Sequence, residues 1–260
     1  MMHEYQRRPK AGFFERLTYK FLNRSKRLCD FADQPVDVQR LILDSAFFSV
    51  GKLLYVKNSK AGCTSIMHYL FYLENHRDHP GNIHNDTTHI KQGIGYVNDI
   101  INAINSKNDH LVFTAVRDPV ERFNSVYHDF VVKKQNSAHK FYFDKFKLFG
   151  CLDSEKSEEY RLDAFVEFVS EELREYGSDC NRHWRLQKDN LAIDTVDYDF
   201  VGKIEEIESW FGSINKRYGV NTIKLSRYNT TQSSMTLTRS QVRRVAALYE
   251  EDYERFGYSF

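Results

Sequence analysis

The chain reads as an α/β protein: a central, mainly parallel sheet flanked by helices. Short apolar strands alternate with amphipathic helical stretches, the pattern of strand–helix–strand units. Two of the strands, Leu53–Val56 and Leu111–Val116, each run through a polar turn into a helix. The 260 residues, 41% hydrophobic and 15% aromatic, suffice for one sizeable core.

Taken in order, residues 1–34 form a basic N-terminal arm, set apart from a domain spanning 35–260. Arg7, Arg8, Lys10, Arg16, Lys20, Arg24, Lys26 and Arg27 interleave there with Phe13, Phe14, Leu17, Phe21 and Leu22. Such an arm could make peripheral contact with an anionic membrane. The preferred reading is a helix packed on the domain with its basic face in water. Residues 35–46 read as a short helix and 47–56 as a strand. Apolar spacing makes 66–75 helical; 76–88, with Pro80 and Gly81, is a loop; 89–105 is a further helix. After strand 111–116, Asp118 as N-cap, Pro119 at the first position and Glu121 at the third start a helix. The basic–aromatic stretch 133–150 has no assigned structure. Residues 160–176 form a helix closed by Gly177. Short strands follow at 199–202 and 223–226. Thr238 and Gln241 form a capping box that opens a last helix, with Val242, Val245, Ala246, Tyr249 and Tyr253 on one face.

With 37 basic and 36 acidic residues the net charge is +1, so no global field points to a nucleic-acid partner. No apolar run is long enough to span a membrane, and the first residues lack the apolar core of a secretory signal. Cys29, Cys63, Cys151 and Cys180 are widely spaced with no CxxC pair. They read as free thiols with no zinc site, which places the protein in the cytoplasm. No histidine or carboxylate spacing has the logic of a metal site.

The turn after 53–56 carries Lys60 and the small residues Ala61, Gly62, Cys63, Thr64 and Ser65. Small side chains let backbone N–H groups point at an anion, and the helix that follows adds its positive end. The loop is P-loop-like in place but is not a Walker A motif, because Lys60 precedes Gly62. An ordinary strand–helix turn with a solvated lysine fits it equally well. In the second unit Arg117 ends the strand, and Arg122 and Ser125 fall on one helix face. A guanidinium suits phosphate. Arg117 is read as functional; Arg122 is read as a surface ion pair with Asp118 or Glu121.

Together NSKAGCTSI (58–66) and AVRDPVERFNSVY (115–127) resemble the 5′-phosphosulfate and 3′-phosphate motifs of carbohydrate sulfotransferases that use 3′-phosphoadenosine-5′-phosphosulfate, PAPS. The likeness is to sulfotransferase family 2, the membrane-bound Golgi group that sulfates chondroitin and dermatan, and its bacterial relatives. Three further matches follow in the family's order: Thr88-His89-Ile90, His183-Trp184 with the 199–205 segment DFVGKIE, and the 249–258 segment YEEDYERFGY. Asn58-Ser59 departs from the family's apolar-Pro pair, and the cysteines that lumenal relatives carry after the HW pair are missing.

The resemblance implies sulfuryl transfer from PAPS to a carbohydrate hydroxyl by in-line displacement, with no metal. Lys60 would meet the leaving oxygen, with Ala61, Gly62, Cys63, Thr64 and Ser65 around the 5′ end and Arg117 and Ser125 on the 3′-phosphate. His89 is the first candidate base, His84 the second, and His183 a base or contact. Lys133, Lys134, Lys140 and Tyr142 lie in a stretch of cations beside aromatics that suits an anionic glycan, though a solvated loop explains it as well. The alternatives are a P-loop-type nucleotide kinase and an inactive nucleotide-binding scaffold in glycan assembly.

Overall fold

The computed structural model describes residues 26–105, 110–218 and 237–259. Its sheet has five strands: β1 (Phe47–Val50), β2 (Leu53–Val56), β3 (Ile90–Lys91), β4 (Leu111–Val116) and β5 (Phe200–Lys203). Their order across the sheet is β3-β1-β2-β4-β5. β2 and β4 are the central strands, and every residue of both is buried. They pair in parallel, with Tyr55 opposite Phe113 and Val56 opposite Thr114. The rings of Tyr55 and Phe113 lie 5.4 Å apart, and the Thr114 hydroxyl donates to the Val56 carbonyl. Such unbroken apolar runs mark strands covered on both faces.

The sheet is mixed, which corrects the mainly parallel expectation: β1 is antiparallel to both β2 and β3. The stretch 47–56 is a hairpin, because Gly51 takes φ +52 at its middle and turns the chain. The helix expected over 89–105 is also shorter. Ile90 pairs with Phe48, Gly93 takes φ +73, and the α-helix starts only at Val97, running to Asn105. Sheet pairing and a left-handed glycine override the helical spacing there.

The contacts divide the chain into two compact units. The first comprises described residues within Met1–Lys57, Met67–Thr114 and Asp189–Val201. It holds helices Lys26–Ala32 and Val36–Asp44, whose Phe31 and Ile42 are fully buried. The end of the basic arm is therefore a packed helix; residues 1–25 of the arm lie outside the described residues. Asp199 fixes the approach to β5 by exchanging bonds of 2.8 and 2.9 Å with the Val112 backbone.

The second unit comprises described residues within Asn58–Ile66, Ala115–Lys188 and Gly202–Phe260. The helix Pro119–Tyr127 starts as the sequence predicts, with Asp118 accepting from the Glu121 N–H. It passes into one π-helical turn, His128–Val132, the kind of bulge that often re-aims side chains at functional sites. The undecided stretch 133–150 contains helix His139–Phe149, ended by left-handed Gly150. Helix Glu158–Tyr176 is capped by Ser157 and followed by Gly177. Phe123, Phe130, Phe146, Phe165, Phe168 and Trp184 form the core. The capping box at Thr238 is present, but the last helix breaks at Tyr249 into Arg239–Leu248 and Glu250–Phe256. The strand expected at 223–226 lies outside the described residues. Among the described residues no helix is long and apolar enough to cross a membrane.

Candidate active site

The Lys60 loop is shaped by two left-handed residues, Lys60 at φ +66 and Gly62 at φ +73. A non-glycine residue held there is strained by about 1–3 kcal/mol, so the surroundings must enforce it. Gly62 has no room for a side chain: a Cβ would sit 2.2 Å from Ile204 Cδ1. Helix Cys63–Asn75 begins directly after it, earlier than the predicted 66. The first N–H groups of a helix have no carbonyl within it and favour an anion. Cys63, Thr64 and Ser65 occupy that first turn.

The loop and the strand end at Arg117 are tied together by buried amides. Asn58, fully buried, donates to the Ala115 carbonyl and to Gln187 Oε1, both at 3.0 Å. The same Gln187 oxygen accepts from the Arg117 N–H at 3.0 Å, and Gln187 Nε2 donates to the Arg117 carbonyl at 2.8 Å. Gln187 opens the short helix Gln187–Asn190, and Asp252 holds its start, accepting from the N–H groups of Gln187 and Lys188. Asn58, Gln187 and Asp252 were not singled out from sequence as site residues. Asp252 does lie within the 249–258 match; for Asn58 and Gln187 the signal is only a polar side chain beside buried elements.

Arg117 reaches toward Glu121 at 3.5 Å, a loose and half-exposed contact that leaves its guanidinium near solvent. The next residue, Asp118, is braced by the later motifs. Its N–H donates to Glu205, which also accepts from the Tyr258 hydroxyl, and its carboxylate accepts from Tyr253. The segments 199–205 and 249–258 thus converge on the start of the Arg117 helix. Burial pushes the Tyr258 hydroxyl pKa far up, and Glu205 pushes it further.

Arg122 corrects the expected surface ion pair. It is 1% exposed, and its donors bond the carbonyls of Ser59 (3.0 Å), Arg185 and Arg182 (both 2.9 Å). Burial lowers its pKa. One guanidinium thereby clamps the Lys60 loop to the segment that carries His183. Ser125 lies one turn further along the same helix and is 8% exposed.

The Lys60 ammonium itself pairs with Asp129 on the π-helical turn. Asn136 donates to the same carboxylate oxygen at 3.0 Å and lies 3.3 Å from His183 Nε2. His183 Nδ1 is 2.7 Å from the Asn181 side-chain oxygen. Lys60 and His183 are therefore ends of one polar chain. His128, next to Asp129, has its pKa lowered by burial and then by Lys133.

In the first unit, His89 Nδ1 lies 2.7 Å from Asp86, and Nε2 lies 2.7 Å from Glu74. The ring stacks on Phe48 at 5.4 Å and meets Phe71 edge-on. Asp86 is buried and also accepts from the N–H groups of Thr88 and His89. Burial alone would raise its pKa, but these bonds bring it below the ordinary value. Each imidazole nitrogen faces a carboxylate: Asp86 orients the ring from one side, and Glu74 covers the nitrogen opposite. His84 sits in the short turn Ile83–Asn85, N-capped by Asn82.

Of the expected acceptor contacts, Lys133, Lys134 and Lys140 are exposed. Tyr142 is not an open platform: its ring packs 4.7 Å from Trp184, and its hydroxyl accepts from Asn181. Core packing has claimed that ring. Among the described residues no group of histidine, cysteine or carboxylate side chains is placed to hold a metal.

The sequence model described as the sulfotransferase family matches residues 47–259. The chain belongs to the sulfotransferase family. It is 23% identical over 245 residues to carbohydrate sulfotransferase 11 of Rattus norvegicus, covering 86% of this chain and 68% of that protein. The Mus musculus protein of the same name matches to the same extent. Carbohydrate sulfotransferase 9 of Homo sapiens is 24% identical over 199 residues, 74% of this chain and 44% of that protein. No solved structure matches. The comparison corrects the cytoplasmic reading, since these sulfotransferase relatives are lumenal membrane proteins of the Golgi. The four cysteines are free in the structure, but unpaired thiols do not by themselves define a compartment.

Proposed function

We propose that this sulfotransferase moves a sulfuryl group from PAPS to a hydroxyl of a carbohydrate. One observation carries the reading. Asn58, Gln187 and Arg122 hold the Lys60 loop in fixed register with the Arg117 strand end. A donor with phosphate on both its 5′ and 3′ sides needs two such grips in one rigid frame. The fit is supported by the loop itself, where left-handed Lys60 and Gly62 lead straight into the start of helix Cys63–Asn75.

In this mechanism the acceptor oxygen forms the new bond to sulfur as the bond to the bridging oxygen breaks. Negative charge gathers on the departing phosphate, and Lys60, the N–H groups of 62–65 and Thr64 stabilise it. Arg117 and Ser125 grip the 3′-phosphate. His89 is the proposed base: Asp86 holds the ring through Nδ1, and Nε2 takes the acceptor proton once half-exposed Glu74 has moved off it with the proton they share. Lys133, Lys134 and Lys140 would meet an anionic acceptor.

The test is calorimetric titration with adenosine 3′,5′-bisphosphate, 5′-AMP and ATP without magnesium, then transfer from labelled PAPS to a panel of glycans. Selectivity for the bisphosphate is expected. Lys60→Ala should cut transfer by roughly 100-fold or more, and Arg117→Ala should weaken bisphosphate binding by roughly 10–100-fold. Equal binding of all three nucleotides, or full turnover by Lys60→Ala, would overturn the assignment.

A further inference from the structure

The carboxylate closest to the proposed leaving-group cation has no part in the mechanism above. Asp129 pairs with the Lys60 ammonium, and both side chains are about one-fifth exposed. A carboxylate beside the seat of a phosphosulfate is electrostatically adverse to binding that anion. It is nevertheless built into place. Asn136 donates to its bonded oxygen at 3.0 Å, and Asn136 is itself fixed because its own oxygen accepts from the Ala138 N–H at 2.9 Å. The π-helical turn sets Asp129 one turn beyond Ser125 and two beyond Arg122, on the side where Arg122 grips the loop through Ser59.

We infer that Asp129 is a positioning residue that holds the Lys60 ammonium at its post and competes for it with the incoming 5′-phosphosulfate. The inference rests on the function proposed above. When the donor binds, Lys60 turns to the anion, and Asn136 retains the Asp129 carboxylate. The ion pair keeps a long, flexible side chain from wandering in the empty site, and it returns as the bisphosphate product leaves. Asp129 so lowers the affinity for donor and product alike, and by taking Lys60 back it speeds release of the bisphosphate.

The experiment is calorimetry with adenosine 3′,5′-bisphosphate on the full chain: wild type, Asp129→Asn, Lys60→Ala and the double variant. Labelled-PAPS turnover is measured on the first two. Asp129→Asn should bind the bisphosphate about three- to tenfold tighter, with a lower donor KM and a lower kcat. In the Lys60→Ala background the same change should alter binding less than twofold. Asp129→Ser serves if the asparagine variant fails to fold, with the same expected shifts. If Asp129→Asn binds no tighter, or tightens equally without Lys60, the inference falls; the latter would be simple repulsion between carboxylate and phosphate. A wild type that does not prefer the bisphosphate over 5′-AMP would sink the functional reading and this inference with it. Selective wild-type binding with an unchanged Asp129→Asn variant would sink only the inference.

Discussion

Gly62→Ala should disable the Lys60 loop, and the structure separates its cost into two parts. The residue sits at φ +73, where an alanine costs about 1–2 kcal/mol. The new Cβ would stand 2.2 Å from Ile204 Cδ1 and 2.7 Å from Cγ1, an overpacking worth about 1–3 kcal/mol. Together that is about 2–5 kcal/mol, or roughly 5–15 °C in melting temperature for a chain of this size. Ile204→Ala removes both offending atoms and leaves its own Cβ at an ordinary 3.9 Å. That change alone, at a half-buried position, should cost about 1–2 kcal/mol. Urea unfolding of the four proteins closes a double-mutant cycle. The double variant should be more stable than the sum of the single losses by about 1–3 kcal/mol, because the steric part vanishes and the backbone part stays. Bisphosphate titration should show strong weakening in Gly62→Ala and only partial recovery in the double variant. A Gly62→Ala protein as stable as wild type would refute both the packing and the backbone argument; an additive cycle would refute the packing argument alone.

Arg122→Lys keeps a charge but cannot span the carbonyls of Ser59, Arg182 and Arg185; with one or two left unpaired, urea unfolding should show a loss of about 2–5 kcal/mol. A loss below about 0.5 kcal/mol would return Arg122 to the role of a surface residue. Asp86→Asn should destabilise the loop around His89 at neutral pH, and the difference from wild type should shrink on acidification. The sign follows from the depressed pKa: stability from the Asp86 carboxylate is present above its unfolded pKa and is lost as pH falls through the lower folded value. A gap between the two proteins that persists unchanged to about pH 3, below the ordinary aspartate pKa, would contradict this.

Local rules read well from this sequence where the partners are neighbours. Asp118, Pro119 and Glu121 announce a helix start, and Thr238 with Gln241 announces another, because each bond closes within three residues. Gly51 was the failure of the same kind: it lies inside an apolar run, and only pairing with β2 shows it to be a turn. Lys60 and Arg117 stood out as candidates because each ends a strand–turn motif with its own local logic. Asn58, Arg122 and Gln187 were not, because their partners lie 57 to 129 residues away. Many of those partners, moreover, are backbone groups: the carbonyls of Ala115, Ser59, Arg182 and Arg185, and the N–H of Arg117. A carbonyl belongs to every residue type, so no sequence pattern marks the one that a buried amide or guanidinium will bond. The frame that holds the two candidate anion grips is written in polar side chains whose meaning appears only when the strands are paired. Substitutions at Ser59 or Arg182 that keep the backbone path should therefore be tolerated more readily than any change at Arg122, although all three lie at the same junction.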